Sequence, residues 1–101
     1  MVLLYITCKD KNEAKKISLH LLENRLIACS NMFPIESMYW WQNKLVEDKE
    51  VAIVVKTISK KVKEVEGEVK KLHSYETPCI IRIKSWANKE FSEWVKKEVN
   101  N

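Results

Sequence analysis

The chain has 101 residues, 46% hydrophobic and 32% charged, with a single Gly and two Pro. That composition excludes a disordered or low-complexity chain and leaves little material for irregular loops, so regular elements of one domain over residues 1–101 must fill it. The formal charge is +4, from 18 Lys and Arg against 14 Asp and Glu. The lysines alternate with Glu, as on a solvated helix face, and form no basic run of the kind that binds nucleic acid or an anionic membrane.

Val2 to Cys8 is an apolar, β-branched run and reads as a strand. It lacks a basic leader region and a small-residue cleavage site, so it is not read as a signal peptide. No stretch approaches the roughly 20 apolar residues of a membrane span. Asp10 with Glu13 three positions on forms a capping box, opening a helix with Ala14, Ile17, Leu21 and Leu22 on one face and an end near Arg25 or Leu26. His20 lies off that row and is expected to face solvent.

Ile27 to Phe33 reads as the second strand and leads through Pro34 into Ser37–Trp41; Gln42-Asn43-Lys44 is a turn in which Asn43 takes the φ > 0 position. Glu50 to Thr57 is the clearest strand, with an unbroken apolar run from Val51 to Val55. Ser59 is expected to cap a helix carrying Val62, Val65, Val69 and Leu72 inward, with Gly67 on its far face. After His73 a loop runs to Pro78, Cys79 to Ser85 makes the last strand, and Asn88 caps a terminal helix with Phe91, Trp94, Val95 and Val99 facing inward. The order predicts an α+β fold: a ferredoxin-like split β-α-β-β-α-β sandwich with an extra C-terminal helix.

In that arrangement two helices cover one sheet face. Val2–Ile6 and Val51–Val55 do not alternate, so both strands are apolar on both faces and need a second cover. Consecutive aromatics at Tyr39, Trp40 and Trp41 point to opposite faces, and at least one ring lies away from the helix-covered core. Both features predict self-association, with these aromatics at the interface.

Four features carry chemistry: Ala28-Cys29-Ser30-Asn31, Tyr39-Trp40-Trp41, Lys56-Thr57 and His73-Ser74-Tyr75-Glu76-Thr77-Pro78. Cys29 reads either as a small buried hydrophobe or as a soft copper ligand, which thiolate and imidazole together would favour. His73 reads either as a helix C-terminal histidine on the dipole or as a ligand. Their spacing makes no chelate; the two would have to meet in space, within one chain or across a subunit boundary. Lys56 either binds an anion in a cleft or snorkels. Cys8 and Cys79 read as packing residues. The three cysteines are odd in number and show no C-x-x-C spacing, which points to a reducing cytoplasm.

These four motifs, in this order and on these elements, resemble the CutA family of divalent-cation tolerance proteins, whose pattern is close to Ala-Cys-x-Asn, Tyr-Trp-Trp, Lys-Thr and His-Pro-Tyr-Glu-x-Pro; the match runs over essentially the whole chain. The resemblance implies a tight homotrimer in which the hairpin around Tyr39 to Lys44 pairs with a neighbouring subunit, and a link to copper and other divalent ions. It implies metal ligands at Cys29, His73 and Glu76, an intersubunit cleft lined by Asn31, Tyr39, Trp41, Lys56 and Tyr75, and a trimer interface at Tyr39, Trp40 and Trp41. Three positions depart from the pattern: Ser74 stands for Pro, Ile35 for Gly, and Asn43 for the turn Gly.

The reading is thus a metal-responsive binding protein with no catalytic residues, no nucleic-acid partner and no membrane partner. The alternative is a PII-like trimeric sensor of a small anion near Lys56, Tyr39 and Glu76, against which stands the lack of a glycine-rich phosphate cradle. RNA binding is disfavoured because Glu50–Thr57 carries no aromatic for base stacking. Acylphosphatase-like hydrolysis is discarded because Lys9-Asp10-Lys11-Asn12 has neither Gly nor Arg to hold an anion.

Overall fold

The computed structural model describes residues 1–99. The elements are β1 (Val2–Cys8), α1 (Lys11–Glu23), β2 (Cys29–Trp41), β3 (Lys44–Thr57), α2 (Val62–Leu72, entered through a 3-10 turn at Ser59–Lys61), β4 (Ile80–Lys84) and α3 (Lys89–Val99). The four strands form one antiparallel sheet in the order β2-β3-β1-β4. This is the α+β ferredoxin-like arrangement expected, with the extra helix at its end.

Helix boundaries follow from their caps. Asp10 accepts the Glu13 N–H at 2.8 Å, while Glu13 reaches back to the N–H of Lys9, one residue before the cap. At the other end of α1, Arg25 takes φ 55, its N–H meets Leu22 O, and the Leu26 N–H meets Leu21 O. These are the two bonds of a Schellman ending, and the buried Leu21–Leu26 pair supplies its apolar contact. Ser59, expected as the cap of α2, instead lies within the 3-10 turn and makes no capping bond. Cys79 falls just before β4.

The register divides the sheet cleanly. Val2, Leu4, Ile6 and Cys8 of β1 face the helices with Ile53, Val55 and Thr57 of β3, and the residues of this row are buried against Ala14, Ile17, Leu21, Val62, Val65 and Val69. Fully burying each such Leu or Ile contributes about 1.5–3 kcal/mol. Ser18 replaces the expected Leu22 on this face, bonding Ser30 Oγ at 2.8 Å, while Leu22 is exposed. His20 is not free in solvent: its Nε2 lies 2.8 Å from Glu68 Oε1 and joins α1 to α2. Val95 and Val99 of α3 are buried, but Trp94, expected inward, is exposed, its ring 5.5 Å from that of Phe91.

The opposite face is covered only in part, Ala52 being buried there. Phe33, Ile81 and Ile83 are exposed there, beside half-covered Leu3, Tyr5 and Val54. The expectation that β1 and β3 are apolar on both faces holds.

β2 and β3 are longer than the sequence indicates. β2 runs unbroken through Pro34, which an edge strand tolerates because its missing N–H need not meet a neighbour. β3 begins at Lys44, not Glu50, because the Val46–Glu50 stretch pairs with Ile35–Tyr39 despite its charges. Since β1 covers β3 only from Val51 onward, the rest of the hairpin projects as a two-stranded ribbon about 24 Å long. Gln42 and Asn43 close it with φ 49 and 63, the conformation of a type I′ turn.

Candidate functional site: an acid-lined cavity under the hairpin

Where the ribbon leaves the sheet, the loop after α2 rises against it and borders a half-open cavity of about 780 Å³. The hairpin supplies Glu36, Met38, Tyr39, Trp41 and Glu50; the loop supplies Ser74, Tyr75, Glu76, Thr77 and Cys79. No Lys, Arg or His lines it. Glu50 and Glu76, with no lining cation among the described residues, make a field that attracts positive charge, whereas Glu36 pairs with Lys49 on the ribbon's other face.

Glu50 is the best-held of these. It is buried, and its Oε2 accepts the Tyr75 hydroxyl at 2.6 Å. Burial first, then that hydrogen bond and the Glu50 charge, push the Tyr75 phenol well above its usual range, so it stays a donor. Tyr39 donates to Asp48 Oδ2 at 3.3 Å, and partial desolvation together with Asp48 raises its phenol too.

The loop is anchored beneath the cavity by a sealed cluster of Cys8, Glu13 and His73, whose ligand-type atoms lie within 4.8 Å of one another. The Tyr75 N–H donates to His73 Nδ1 at 3.0 Å, so the proton sits on Nε2 and is donated to the Thr7 carbonyl at 2.7 Å. Glu13 accepts the backbone N–H groups of Lys9 and Ser74, each at 2.9 Å. Burial works to raise the Glu13 carboxyl, but the Ser74 and Lys9 bonds outweigh it and hold it below the usual carboxylate range. Burial, then Glu13 and Glu50, push the Cys8 thiol up to about 12. A protonated thiol beside an imidazole with both nitrogens engaged is neither an activated nucleophile nor a ready metal chelate.

The remaining expected residues gather elsewhere. Cys29 pairs with Lys56 across the β2–β3 ladder, and Lys56 Nζ contacts both Asn31 Oδ1 and, at 3.6 Å, Cys29 Sγ. Lys56 stands opposite Leu3, four residues along β1 from the Thr7 that His73 holds, a separation of about 13 Å. Within the chain, then, Cys29, Asn31 and Lys56 form one group, while Tyr39, Trp41, Tyr75 and Glu76 form another around the cavity. His73 sits beneath the second, and the fold does not bring Cys29 to it.

Residues 2–98 match the sequence profile of the CutA1 divalent ion tolerance proteins. The chain belongs to the CutA family. It is 46% identical to the divalent-cation tolerance protein CutA of Archaeoglobus fulgidus over 97 residues, covering 95% of each chain, and 44% identical to that of Thermotoga maritima over 100 residues, covering 98% of this chain and 99% of the other. A solved structure of the A. fulgidus protein, described as a periplasmic divalent cation tolerance protein, superposes with a TM-score of 0.95 over 98% of this chain and 99% of that one. The PII-like protein CutA from Nostoc shares the fold at a TM-score of 0.92 and 24% identity, covering 98% of this chain and 97% of that one.

Sequence reasoning missed Glu50, Glu36 and Cys79 as cavity residues. Glu50 was legible as an anomaly, since a carboxylate at the edge of an unbroken apolar strand requires a partner. Cys79 and Glu36 gave no signal, because only the continuous hairpin and the docked loop place them together. Among the described residues no helix is long and apolar enough to cross a membrane.

Proposed function

We propose that this CutA chain works as a homotrimer that takes up divalent cations in the cavity between hairpin and loop, as part of a metal response. The observation that supports the reading is that Glu50 and Glu76 line one cavity with no lining cation among the described residues. Cys79 adds a thiol to the same lining. With such mixed oxygen and sulfur donors, copper is the expected tightest ion, because it heads the affinity order of the divalent metals. The donors do not converge into a closed set, so a bound ion keeps part of its water shell. Cys29 is the less favourable partner, since the Lys56 ammonium lies against its sulfur and opposes a second positive charge. His73 supports the site indirectly by fixing Tyr75 and the Glu76 loop.

Self-association is supported by the partly open apolar face and by the free ribbon. Trp40 is 73% exposed and Met38 67% exposed on that ribbon. A two-stranded ribbon is marginal on its own, and a neighbouring subunit would pair and cover it. Binding rather than catalysis is the proposed role, since the Cys8–Glu13–His73 cluster is sealed and both His73 nitrogens are engaged. The three unpaired cysteines favour a cytoplasmic location. The test is native mass spectrometry of the reduced protein with titrated Cu and Zn. A trimer with fixed uptake per subunit, lost in Glu50→Gln, supports the reading; a monomer, or no uptake, overturns it.

A further inference from the structure

Two of the motifs that carry chemistry, Ala28-Cys29-Ser30-Asn31 and Lys56-Thr57, stand apart from the cavity and take no part in the cation site. The register brings them together. Cys29 and Lys56 are direct partners on β2 and β3, in one row with Leu3 and Ile83, so both side chains lie on the sheet face away from α1 and α2. Lys56 Nζ donates to Asn31 Oδ1 and lies 3.6 Å from Cys29 Sγ. Asn31 stands two residues along the same face, so its amide holds the amine beside the sulfur.

The other two thiols are placed differently. Cys8 is fully buried with its thiol pushed up to about 12, and Cys79 shares a cavity lining with Glu50 and Glu76. Cys29 is half-buried, within reach of a small oxidant, and the ammonium against its sulfur offsets the charge of a thiolate, the form that oxidants attack.

We propose that Cys29 and Lys56 form a reversible redox-modification site, which hydrogen peroxide converts into a cross-strand sulfenamide. Peroxide oxidises the thiol by two electrons to a sulfenic acid; its O–O bond breaks and water leaves. Lys56 Nζ then attacks the sulfur it already touches, so the S–N bond forms as the S–O bond breaks. The ammonium gives up two protons, one to solvent and one to the departing hydroxyl, which leaves as water. Two equivalents of a small thiol reverse the step, restoring thiol and amine and leaving as their own disulfide. The link ties the edge strand β2 to β3 and keeps Cys29 from going on to the irreversible sulfinic and sulfonic acids.

The experiment treats the full, reduced chain with stoichiometric hydrogen peroxide, caps the remaining thiols and maps tryptic peptides by mass. The expected product joins residues 26–44 to residues 50–60, about 2 Da lighter than the two peptides combined, with cleavage after Lys56 blocked. Dithiothreitol should remove it. It should be absent from Cys29→Ser and from Lys56→Arg, which keeps the charge without the amine, and in Lys56→Arg the thiol should instead reach the sulfinic acid. Circular dichroism shows that each variant remains folded. A wild type in which Cys29 resists peroxide, or is oxidised while Lys56 stays unmodified, overturns the proposal. So does a link from Cys29 to a different lysine, or the same yield of product from urea-unfolded protein, where the cross-strand contact is gone.

Discussion

The Tyr75 hydroxyl meets Glu50 Oε2 at 2.6 Å and so ties the loop after α2 to the root of the hairpin. The same residue's backbone N–H is held by His73, whose ring in turn holds the Thr7 carbonyl of β1. Core, loop and cavity wall are therefore linked through consecutive hydrogen bonds, and Tyr75 contributes two of them.

Tyr75→Phe removes the donor and leaves a buried carboxylate short of a partner. The expected loss is about 1–3 kcal/mol, read as a lower midpoint in urea unfolding. An unchanged midpoint would show that water replaces the hydroxyl without cost.

Glu13 sets an acid limit. Its carboxyl is held below its ordinary value of 4.5, so it contributes stability that is present above about pH 4.5 and is lost as pH falls through its lowered folded value. Glu13→Gln should be less stable at pH 7 by about 1.5–3 kcal/mol, since it weakens charge-assisted bonds from two backbone N–H groups. The variant's stability should also fall less steeply below pH 4.5 than the wild type's. Parallel pH profiles would contradict this role.

The cysteines should react in a definite order. Cys8 is fully buried with its thiol pushed up to about 12, whereas Cys29 and Cys79 are half-buried. Iodoacetamide at pH 8 should label Cys29 and Cys79 first and reach Cys8 only on unfolding, as peptide mass mapping would reveal.

Gly67 lies in the middle of α2, and a Cβ built there meets nothing within 4 Å. Gly67→Ala should therefore stabilise the protein by about 0.5–1 kcal/mol through helix propensity and the unfolded chain's entropy, measured as a higher Tm.

Much of the fold was legible because its signals are local. The Asp10 cap, the apolar run of Val51–Val55 and the 3-4-3 spacing from Val62 to Leu72 each mark an element, and their order gives the topology. The hairpin's length was not, because Pro34 and the charged Glu47–Glu50 stretch imitate breaks that only strand pairing overrides. The site was half legible. Tyr39, Trp41, Tyr75 and Glu76 do meet around one cavity, but Lys56 and Cys29 lie at the far end of the β2–β3 ladder. Residues that flank opposite ends of one strand cannot be told from cavity partners by spacing alone. His73 could be singled out, yet whether its nitrogens were free depended on Thr7 and Tyr75, which no pattern in the chain reveals.

The most direct test of the cavity as a cation site is calorimetric titration of copper(II) into three proteins: wild type, the Glu50→Gln/Glu76→Gln double variant, and Cys29→Ala. The account predicts that binding is lost in the double variant and kept in Cys29→Ala. Binding kept in the double variant and lost in Cys29→Ala would contradict it and move the metal to the Cys29–Lys56 end of the sheet.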